Sequence, residues 1–173
     1  MLMKKLIIGD RMNILFLGRK TNKIDGGSII TMRNLMLLKN RNFNVFEILV
    51  DNKNVYRKIL NIISGKPLGY HREVIEKIYF FLNNYNIDLV FIDHSLLGGY
   101  AKIISKNDIP IVFFFHNVEA IYYKEKMKIE GFHNFPMILW AKKNEKSAIQ
   151  YSNYLITLTK RDSNNLKDIY GEQ

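Results

Sequence analysis

Short, nearly unbroken apolar runs alternate along this chain with longer segments in which apolar residues recur at helical spacing. The clearest run, residues 111–115 (IVFFF), follows a proline and leads directly into His116 and Asn117. A short, β-prone run that is continuously apolar is typical of a strand buried on both faces, as in a parallel sheet. Four further runs predict strands, at residues 13–17, 45–50, 87–92 and 154–158.

The segments between these runs predict helices. Apolar residues at helical spacing indicate helices over residues 29–40, 72–84 and 96–106. A less clear pattern in residues 52–70 predicts another helix, which Gly65-Lys66-Pro67 would end. Strands that alternate with helices predict a Rossmann-like, doubly wound α/β domain, with a mostly parallel sheet and helices on both faces.

The last part of the chain continues this alternation. Residues 122–143 are polar, basic and aromatic, and a break at residues 131–136 divides them into two helical pieces, the second of which runs to about Ser152. After the last strand, Thr159 with Asp162 predicts a capping box, and Gly171 stands where a helix-ending glycine belongs.

Composition excludes some classes of protein but does not identify a function. The chain of 173 residues is about one domain long, and its lack of cysteine excludes disulfides and favours a reducing compartment. No apolar run approaches the roughly 20 residues of a membrane span. A net charge of +10 suits anionic partners, although the codon usage of an AT-rich genome explains the lysines equally well. Nucleic-acid binding is not expected, because no recognition motif accompanies the charge.

The natural start of the domain is Met12, which opens the first strand as MNILFLG. Residues 1–11 contain an apolar run too short for a signal peptide and no cleavage site of small residues. We therefore expect residues 1–11 to be an extension ahead of the true start codon, and residues 12–171 to form a single domain.

Gly26-Gly27-Ser28 opens the first helix. Free amides at a helix N-terminus, together with glycines that let a ligand approach the backbone, make a phosphate cradle, whereas a plain N-cap would use the same residues. The segment is not a dinucleotide fingerprint, because a polar loop over residues 19–26 separates it from the first strand. Asp51 ends the second strand, where a ribose-binding acid would sit, but a nicotinamide or flavin cofactor is disfavoured without that fingerprint.

Two histidines follow neighbouring strands of the predicted sheet. His116, with Asn117, follows the central strand, and His94 follows residues 87–92. In open α/β sheets, ligands bind at the carboxyl ends of the strands, where a histidine can bind a sugar hydroxyl or a phosphate, or titrate near neutral pH. The alternative is a histidine packed against the next helix. Metal binding by Asp93 and the two histidines is not expected, because their spacing fits no metal template.

The basic and aromatic residues 122–143 allow two interpretations. They include Trp140 and five lysines, and such a stretch can lie on an anionic membrane surface. The alternative is a solvated helix whose aromatic face packs on the core.

Five stretches together resemble the N-terminal half of a GT-B glycosyltransferase, from the large group that includes the family 4 retaining enzymes. The resemblance covers nearly all of residues 12–171. It rests on the first strand NILFLG, on Asp25-Gly26-Gly27-Ser28 opening a helix, and on the strand end DLVFIDHS. The two remaining stretches are IPIVFFFHNVE and YLITLTKRDSNNLKDIYG.

The resemblance implies a cytoplasmic transferase, peripheral on the inner face of the membrane, that takes a sugar from a nucleotide-sugar donor to a cell-envelope saccharide or a lipid-linked acceptor. His116 would be the catalytic residue, in contact with the transferred sugar. Gly26 and Gly27 would face the donor diphosphate or the acceptor. The further substrate-binding residues implied are Ser28, His94, Asn117, Glu119, Thr159 and Lys160, and neither a metal nor a cofactor is expected.

In such enzymes a second, C-terminal domain binds the nucleotide sugar, and no counterpart of it is present in these 173 residues. We therefore expect transfer to need a donor domain from downstream sequence or from a separate chain. Two alternatives remain open. One is a nucleotide-cofactor oxidoreductase or epimerase, weakened by the absence of a Tyr-x-x-x-Lys pair after a strand. The other is a non-catalytic partner subunit of a split glycosyltransferase.

Overall fold

The computed structural model describes residues 11–20, 25–51 and 54–171, and the extension predicted at residues 1–11 lies, apart from Arg11, outside them. The described residues form one sheet of five parallel strands flanked by helices, which confirms the predicted doubly wound α/β fold. The strands lie in the order β2-β1-β3-β4-β5. They are β1 (Asn13–Arg19), β2 (Asn44–Val50), β3 (Leu89–Asp93), β4 (Ile111–Phe115) and β5 (Tyr154–Thr157).

All the helices predicted from the sequence are present. The described residues form seven α-helices, α1 (Gly26–Asn40), α2 (Val55–Ser64), α3 (Arg72–Asn84), α4 (Gly98–Ile104), α5 (Glu119–Glu130), α6 (Phe135–Tyr151) and α7 (Lys160–Tyr170). None of the helices in this part of the chain is both long enough and apolar enough to cross a membrane.

The order of the strands reverses at the centre of the sheet. The chain passes from β1 outward to β2, and then returns to the other side of β1 to form β3. Open α/β sheets leave a crevice at such a switch point, outside the carboxyl ends of the strands. The fold alone therefore directs attention to the ends of β1, β3 and β4.

Helices cover both faces of the sheet at β1, β3 and β4, which explains why these three strands are continuously apolar, whereas β2 and β5 have exposed side chains. Leu15, Leu17 and Phe113 lie in the larger core, on the face that α3 to α7 cover. Phe16 and Phe91 lie in a smaller core on the opposite face, against Leu35 of α1. Burial on both faces removes the alternation of apolar and polar residues that a half-exposed strand would show.

Helix α1 lies against the sheet with polar side chains. Ile29, Met32 and Met36, the stripe that predicts this helix, point outward and are more than half exposed. The buried side chains of α1 are instead Thr31, Asn34 and Leu35. The reason is the carboxylate of Asp93, at the end of β3 beneath the helix. It accepts hydrogen bonds from the side chains of Thr31 and Asn34, which therefore point inward.

Helix α7 begins and ends where the sequence predicts. The hydroxyl of Thr159 accepts a hydrogen bond from the N–H of Asp162 (3.1 Å) and donates one to its carboxylate (2.6 Å). Gly171 follows the last helical residue with a φ of +89°, a conformation that glycine adopts without strain. The predicted N-cap and stop are therefore confirmed, whereas the Asp162 carboxylate accepts from the hydroxyl of Thr159 rather than from its backbone N–H, so the predicted capping box is not formed.

Candidate functional site

A polar cavity of about 450 Å³ opens at the carboxyl ends of β1, β3 and β4, beside the N-terminus of α1. This is the switch point of the sheet. The polar and charged side chains that line the cavity are Arg19, Asp25, His94, His116, Asn117 and Glu119, and Gly27, Tyr122 and Tyr123 lie among them. Residues that are far apart along the chain thus meet at one edge.

The floor of this site is Asp93, the last residue of β3, which is fully buried. Its carboxylate accepts three hydrogen bonds, from Thr31 Oγ1 (2.6 Å), Asn34 Nδ2 (2.7 Å) and His116 Nε2 (3.0 Å). Burial opposes ionisation of this carboxyl, but the hydrogen bonds, above all that from His116, outweigh it and hold its pKa below the usual value. Asp93 is therefore a buried anion stabilised entirely by side-chain donors.

The two ring nitrogens of His116 have different surroundings. Because Nε2 lies 3.0 Å from the ionised Asp93, it carries the proton and donates. Nδ1 is buried and has no hydrogen-bond partner among the described residues. It faces the first turn of α1, since a Cβ added at Gly27 would lie 3.6 Å from it. In the tautomer whose only proton is on Nε2, His116 thus presents an open lone pair at Nδ1 to the cavity.

His94 is held in a strained conformation next to His116, with the two ring centroids 5.2 Å apart. Its φ is +145°, which a residue with a side chain rarely adopts. Its Nδ1 accepts a hydrogen bond from the N–H of Leu96 (3.2 Å). Burial, reinforced by the nearby charges of His116 and Arg19, lowers the pKa of His94 to about 3. The His94 ring is therefore neutral. Its Nε2 lies 3.8 Å from Oε1 of Glu119, and this contact is not an ion pair.

Glu119 is a buried carboxyl in the first turn of α5. Burial raises its pKa to about 7, although the charges of Arg19 and His116 and a hydrogen bond from Asn117 act in the opposite direction. Near neutral pH this group exists in both protonation states, so it can donate a hydrogen bond or accept one. Beside it, the side-chain oxygen of Asn117 is buried without a hydrogen-bond partner among the described residues.

The first turn of α1 faces the same cavity. Asp25 is the N-cap: its carboxylate accepts a hydrogen bond from the N–H of Ser28 (2.8 Å), while the Ser28 hydroxyl accepts one from the N–H of Asp25 (2.8 Å). Both side chains therefore act in the cap. The N–H groups of Gly26 and Gly27 have no partner within the described residues and belong to the positive end of the helix.

The sequence-predicted residues divide into two groups. The structure brings Gly27, His94, His116, Asn117 and Glu119 together around the cavity. Three others have different surroundings. Ser28 acts in the cap of α1 and lines a separate apolar groove on that helix, while Thr159 and Lys160 open α7 and do not line the cavity. Gly26 lies in the first turn of α1 without lining the cavity wall.

Several functional side chains were not predicted from the sequence. Arg19, Tyr122 and Tyr123 line the cavity, and Thr31 and Asn34 support Asp93 from below. Of these, only Arg19 had a detectable signal, because it directly follows the apolar run of the first strand.

In the described part of the chain, no three His, Asp or Glu side chains are grouped as metal ligands.

As a whole, the cavity offers unoccupied acceptors, backbone donors and one cation at close quarters. The acceptors are His116 Nδ1 and Asn117 Oδ1, and the cation is Arg19. The backbone donor in the cavity wall is the amide of Gly27, and the amide of Gly26 lies beside it in the same helical turn. Hydroxyl groups can donate to the acceptors, while an anionic group would be stabilised by the amides and the arginine. The arrangement suits a ligand that carries several hydroxyls and one negative group.

Comparisons with known proteins add a distant likeness in structure. No protein-family model matches the chain, and no curated protein matches it. A periplasmic solute-binding protein of an ABC transporter from Actinobacillus succinogenes, solved with bound D-allose, is similar at 10% sequence identity with a TM-score of 0.37. The similarity covers 86% of this chain but only 57% of that protein.

Proposed function

We propose that this chain is the acceptor-side, N-terminal domain of a retaining GT-B glycosyltransferase, which takes a sugar from a nucleotide-sugar donor to a saccharide or lipid-linked acceptor. The observation that supports this most strongly is the open Nδ1 of His116, held toward a polar cavity by the buried Asp93. An acceptor nitrogen with a fixed direction is what recognition of a sugar hydroxyl requires.

In this proposal His116 is the catalytic residue and contacts the transferred sugar. Asp93 is a positioning residue, because it fixes which nitrogen of His116 carries the proton and where the ring points. Asn117 and Glu119 bind further hydroxyls, and Glu119 adjusts its proton to the partner. The amides of Gly26 and Gly27, with Arg19, face the negative diphosphate or a charged acceptor.

A donor-binding domain, encoded downstream or carried by a separate chain, would complete the reaction. Stabilisation of the leaving diphosphate is the largest electrostatic requirement of such a transfer, and in the resembling enzymes it belongs to the donor half. The residues described here would then hold the acceptor and one side of the transferred sugar. The proposed location is the cytoplasm, at the inner face of the membrane.

Calorimetric titration tests this proposal. The present chain and a form extended into the downstream sequence are titrated with UDP, GDP and UDP-sugars. Tight binding by the longer form alone is expected. In that form His116→Ala should lower the transfer rate about a hundredfold, as the loss of one fixed polar contact to the reacting sugar does. His133→Ala is the matched control, since His133 is exposed and does not line the cavity.

Two other results of these measurements would change the proposed function or the role of His116. If the present chain binds NAD(P) tightly and neither form binds a sugar nucleotide, the glycosyltransferase proposal is wrong and a cofactor-dependent enzyme takes its place. An unchanged rate in His116→Ala, with sugar nucleotides still bound, would remove His116 from the mechanism while leaving the reaction class intact.

A further inference from the structure

Helix α2 is an addition at the carboxyl edge of the sheet rather than a crossover. The chain leaves β2 after Val50 and returns to the same place at Leu68 and Gly69, where a Cβ added to Gly69 would lie 2.9 Å from the carbonyl oxygen of Asp51. The N–H of Leu68 donates to the carbonyl of Leu96 (2.9 Å), and Leu96 lines the polar cavity. The segment that follows α2 therefore adjoins the candidate site, and α3 makes the return across the sheet.

The outward face of α2 is apolar. It consists of Val55, Tyr56, Ile59, Leu60 and Ile63, which are between 47% and 82% exposed. These positions follow the i, i+1, i+4, i+5, i+8 spacing of one helical face. On the opposite side, Asn61 is buried and Ile62 packs on the larger core, so the helix is fixed in this orientation by its inner face.

Contacts with α6 anchor the end of α2. The indole Nε1 of Trp140 donates to the carbonyl of Lys66 (2.6 Å), and the ammonium of Lys143 donates to the carbonyl of Ser64 (3.0 Å). The outward apolar face is thus presented by a helix whose C-terminal end is fixed to the domain.

The charge around this face is of one sign. Residues 52–70 contain four basic side chains and no acidic one. Arg57 and Lys58 are exposed on α2 itself, and Lys66 is exposed just after it. On the neighbouring α6, Lys142 and Lys143 are exposed as well. A partner of this surface must therefore accept apolar side chains in its centre and positive charge around it.

We propose that the outward face of α2 docks on the surface of an anionic membrane. A helix with one apolar face and basic flanks lies in the plane of such a membrane, with its apolar side chains at the boundary between headgroups and acyl chains and its cations among the headgroups. A second copy of this chain is a poorer partner, because two such faces in contact would bring like charges together.

This inference moves the membrane contact away from residues 122–143. The exposed apolar side chains of that segment are divided between two helices and the turn between them, and its Trp140 is buried in the core. These exposed side chains are Tyr122, Ile129, Phe132, Phe135 and Leu139. Two of its lysines, Lys126 and Lys128, are paired with glutamates on the same helix. Helix α2 has its five exposed apolar side chains on one helical face and carries no acidic side chain.

Docking through α2 would bring the polar cavity close to the lipid surface, because Leu68 and Leu96 join the two regions. Only this consequence rests on the proposed function, for which a lipid-linked acceptor would then be within reach. The docking itself requires no sugar nucleotide, so its test and the calorimetric test can fail independently.

The test is flotation of the protein with vesicles of phosphatidylcholine alone, and with vesicles of equal parts phosphatidylcholine and phosphatidylglycerol. Binding is expected only to the anionic vesicles. The double variant Leu60→Glu, Ile63→Glu should weaken it at least about tenfold, because two apolar side chains leave the interface and two negative charges enter it.

The matched control is the double variant Met32→Glu, Met36→Glu, which makes the same change on the exposed outer face of α1. It should alter binding by less than about twofold, since this face does not contact the membrane in the proposal. Circular dichroism and urea unfolding of both variants establish that each is folded.

Three results would overturn the proposal. The first is a wild-type protein that does not float with anionic vesicles, and the second is equal loss of binding in the two double variants. The third is a dimer, measured by analytical ultracentrifugation without lipid, that the α2 variant dissociates, because it would assign this face to a second copy of the chain.

Discussion

Two regions near the carboxyl edge of the sheet depart from the usual distribution of residues, in which apolar side chains are buried and polar ones are exposed. One region has buried polar side chains, and the other has exposed apolar ones. Beneath the cavity, Asp93, His116 and Asn34 are polar and buried. On α2, a short distance away, Leu60 and Ile63 are apolar and exposed. Buried polar groups and exposed apolar faces are the informative exceptions to the rule that apolar residues lie inside.

The two regions differ in where their exceptional side chains find partners. Asp93 finds its three donors within the chain, so the polar region is complete in the isolated protein. In the part of the chain that the structure describes, nothing covers the outward face of α2, so its compensation must come from a partner. The first region should therefore be sensitive in stability measurements, and the second only in measurements of interaction.

The largest effect is expected from Asp93→Ala, which removes the shared acceptor of the polar region. The hydroxyl of Thr31, the amide of Asn34 and Nε2 of His116 would remain buried without a partner, and the free energy of unfolding should fall by about 3–5 kcal/mol. Urea unfolding measures the loss. Thr31→Val, which removes one donor and keeps the side-chain shape, should cost about 1 kcal/mol. A loss in Asp93→Ala no larger than in Thr31→Val would mean that the network does not stabilise the fold.

A further buried carboxyl group, outside the cavity, makes the stability of the polar interior depend on pH. Glu145 of α6 is fully buried and accepts a hydrogen bond from the hydroxyl of Tyr170 (2.6 Å). Burial raises its pKa from 4.5 to about 7. Between these values the folded protein holds this proton more tightly than the unfolded chain. The stability it contributes is therefore fully present below pH 4.5 and is lost as the pH rises through 7.

Glu145→Gln removes this dependence on pH. The difference in the free energy of unfolding between wild type and Glu145→Gln should fall by about 2–3 kcal/mol from pH 4.5 to pH 7. Urea unfolding at several pH values measures it, with Glu130→Gln, a change on the exposed surface of α5, as the control. A difference that stays constant over this range would show that the pKa of Glu145 is the same in the folded and the unfolded protein.

The smallest effect is expected on α2. Leu60→Ser should change the free energy of unfolding by less than about 0.5 kcal/mol, because an exposed side chain loses little on substitution. Leu17→Ala, in the larger core, is the contrasting control and should cost about 2–5 kcal/mol. If Leu60→Ser lowers the urea midpoint as much as Leu17→Ala does, the outward face of α2 is part of the folded core, and the comparison fails.

The sequence predicts the architecture well because strands buried on both faces leave an unmistakable signal. The run at residues 111–115 identifies β4, and the position of His116 directly after it identifies the edge of the sheet where the cavity lies. Proximity at that edge follows from topology alone, since the carboxyl ends of parallel strands share one side of a sheet.

What the sequence could not predict depends on contacts between distant residues. The direction of α1 is set by Thr31 and Asn34, whose acceptor, Asp93, lies about sixty positions later in the chain. Periodicity alone identified the helix but not its buried face. Thr159 and Lys160, also at a strand end, do not line the cavity because β5 is the outermost strand and lies away from the switch point.

The backbone of His94 has a consequence for how this protein can evolve. At a φ of +145°, a residue with a side chain costs on the order of 1–3 kcal/mol, and glycine would remove that cost. Selection for thermal stability alone would therefore accept glycine at position 94, whereas selection for the imidazole at the cavity would reject it. Natural sequences related to this one should keep histidine at this position wherever the cavity is in use, and replace it first where the activity has been lost.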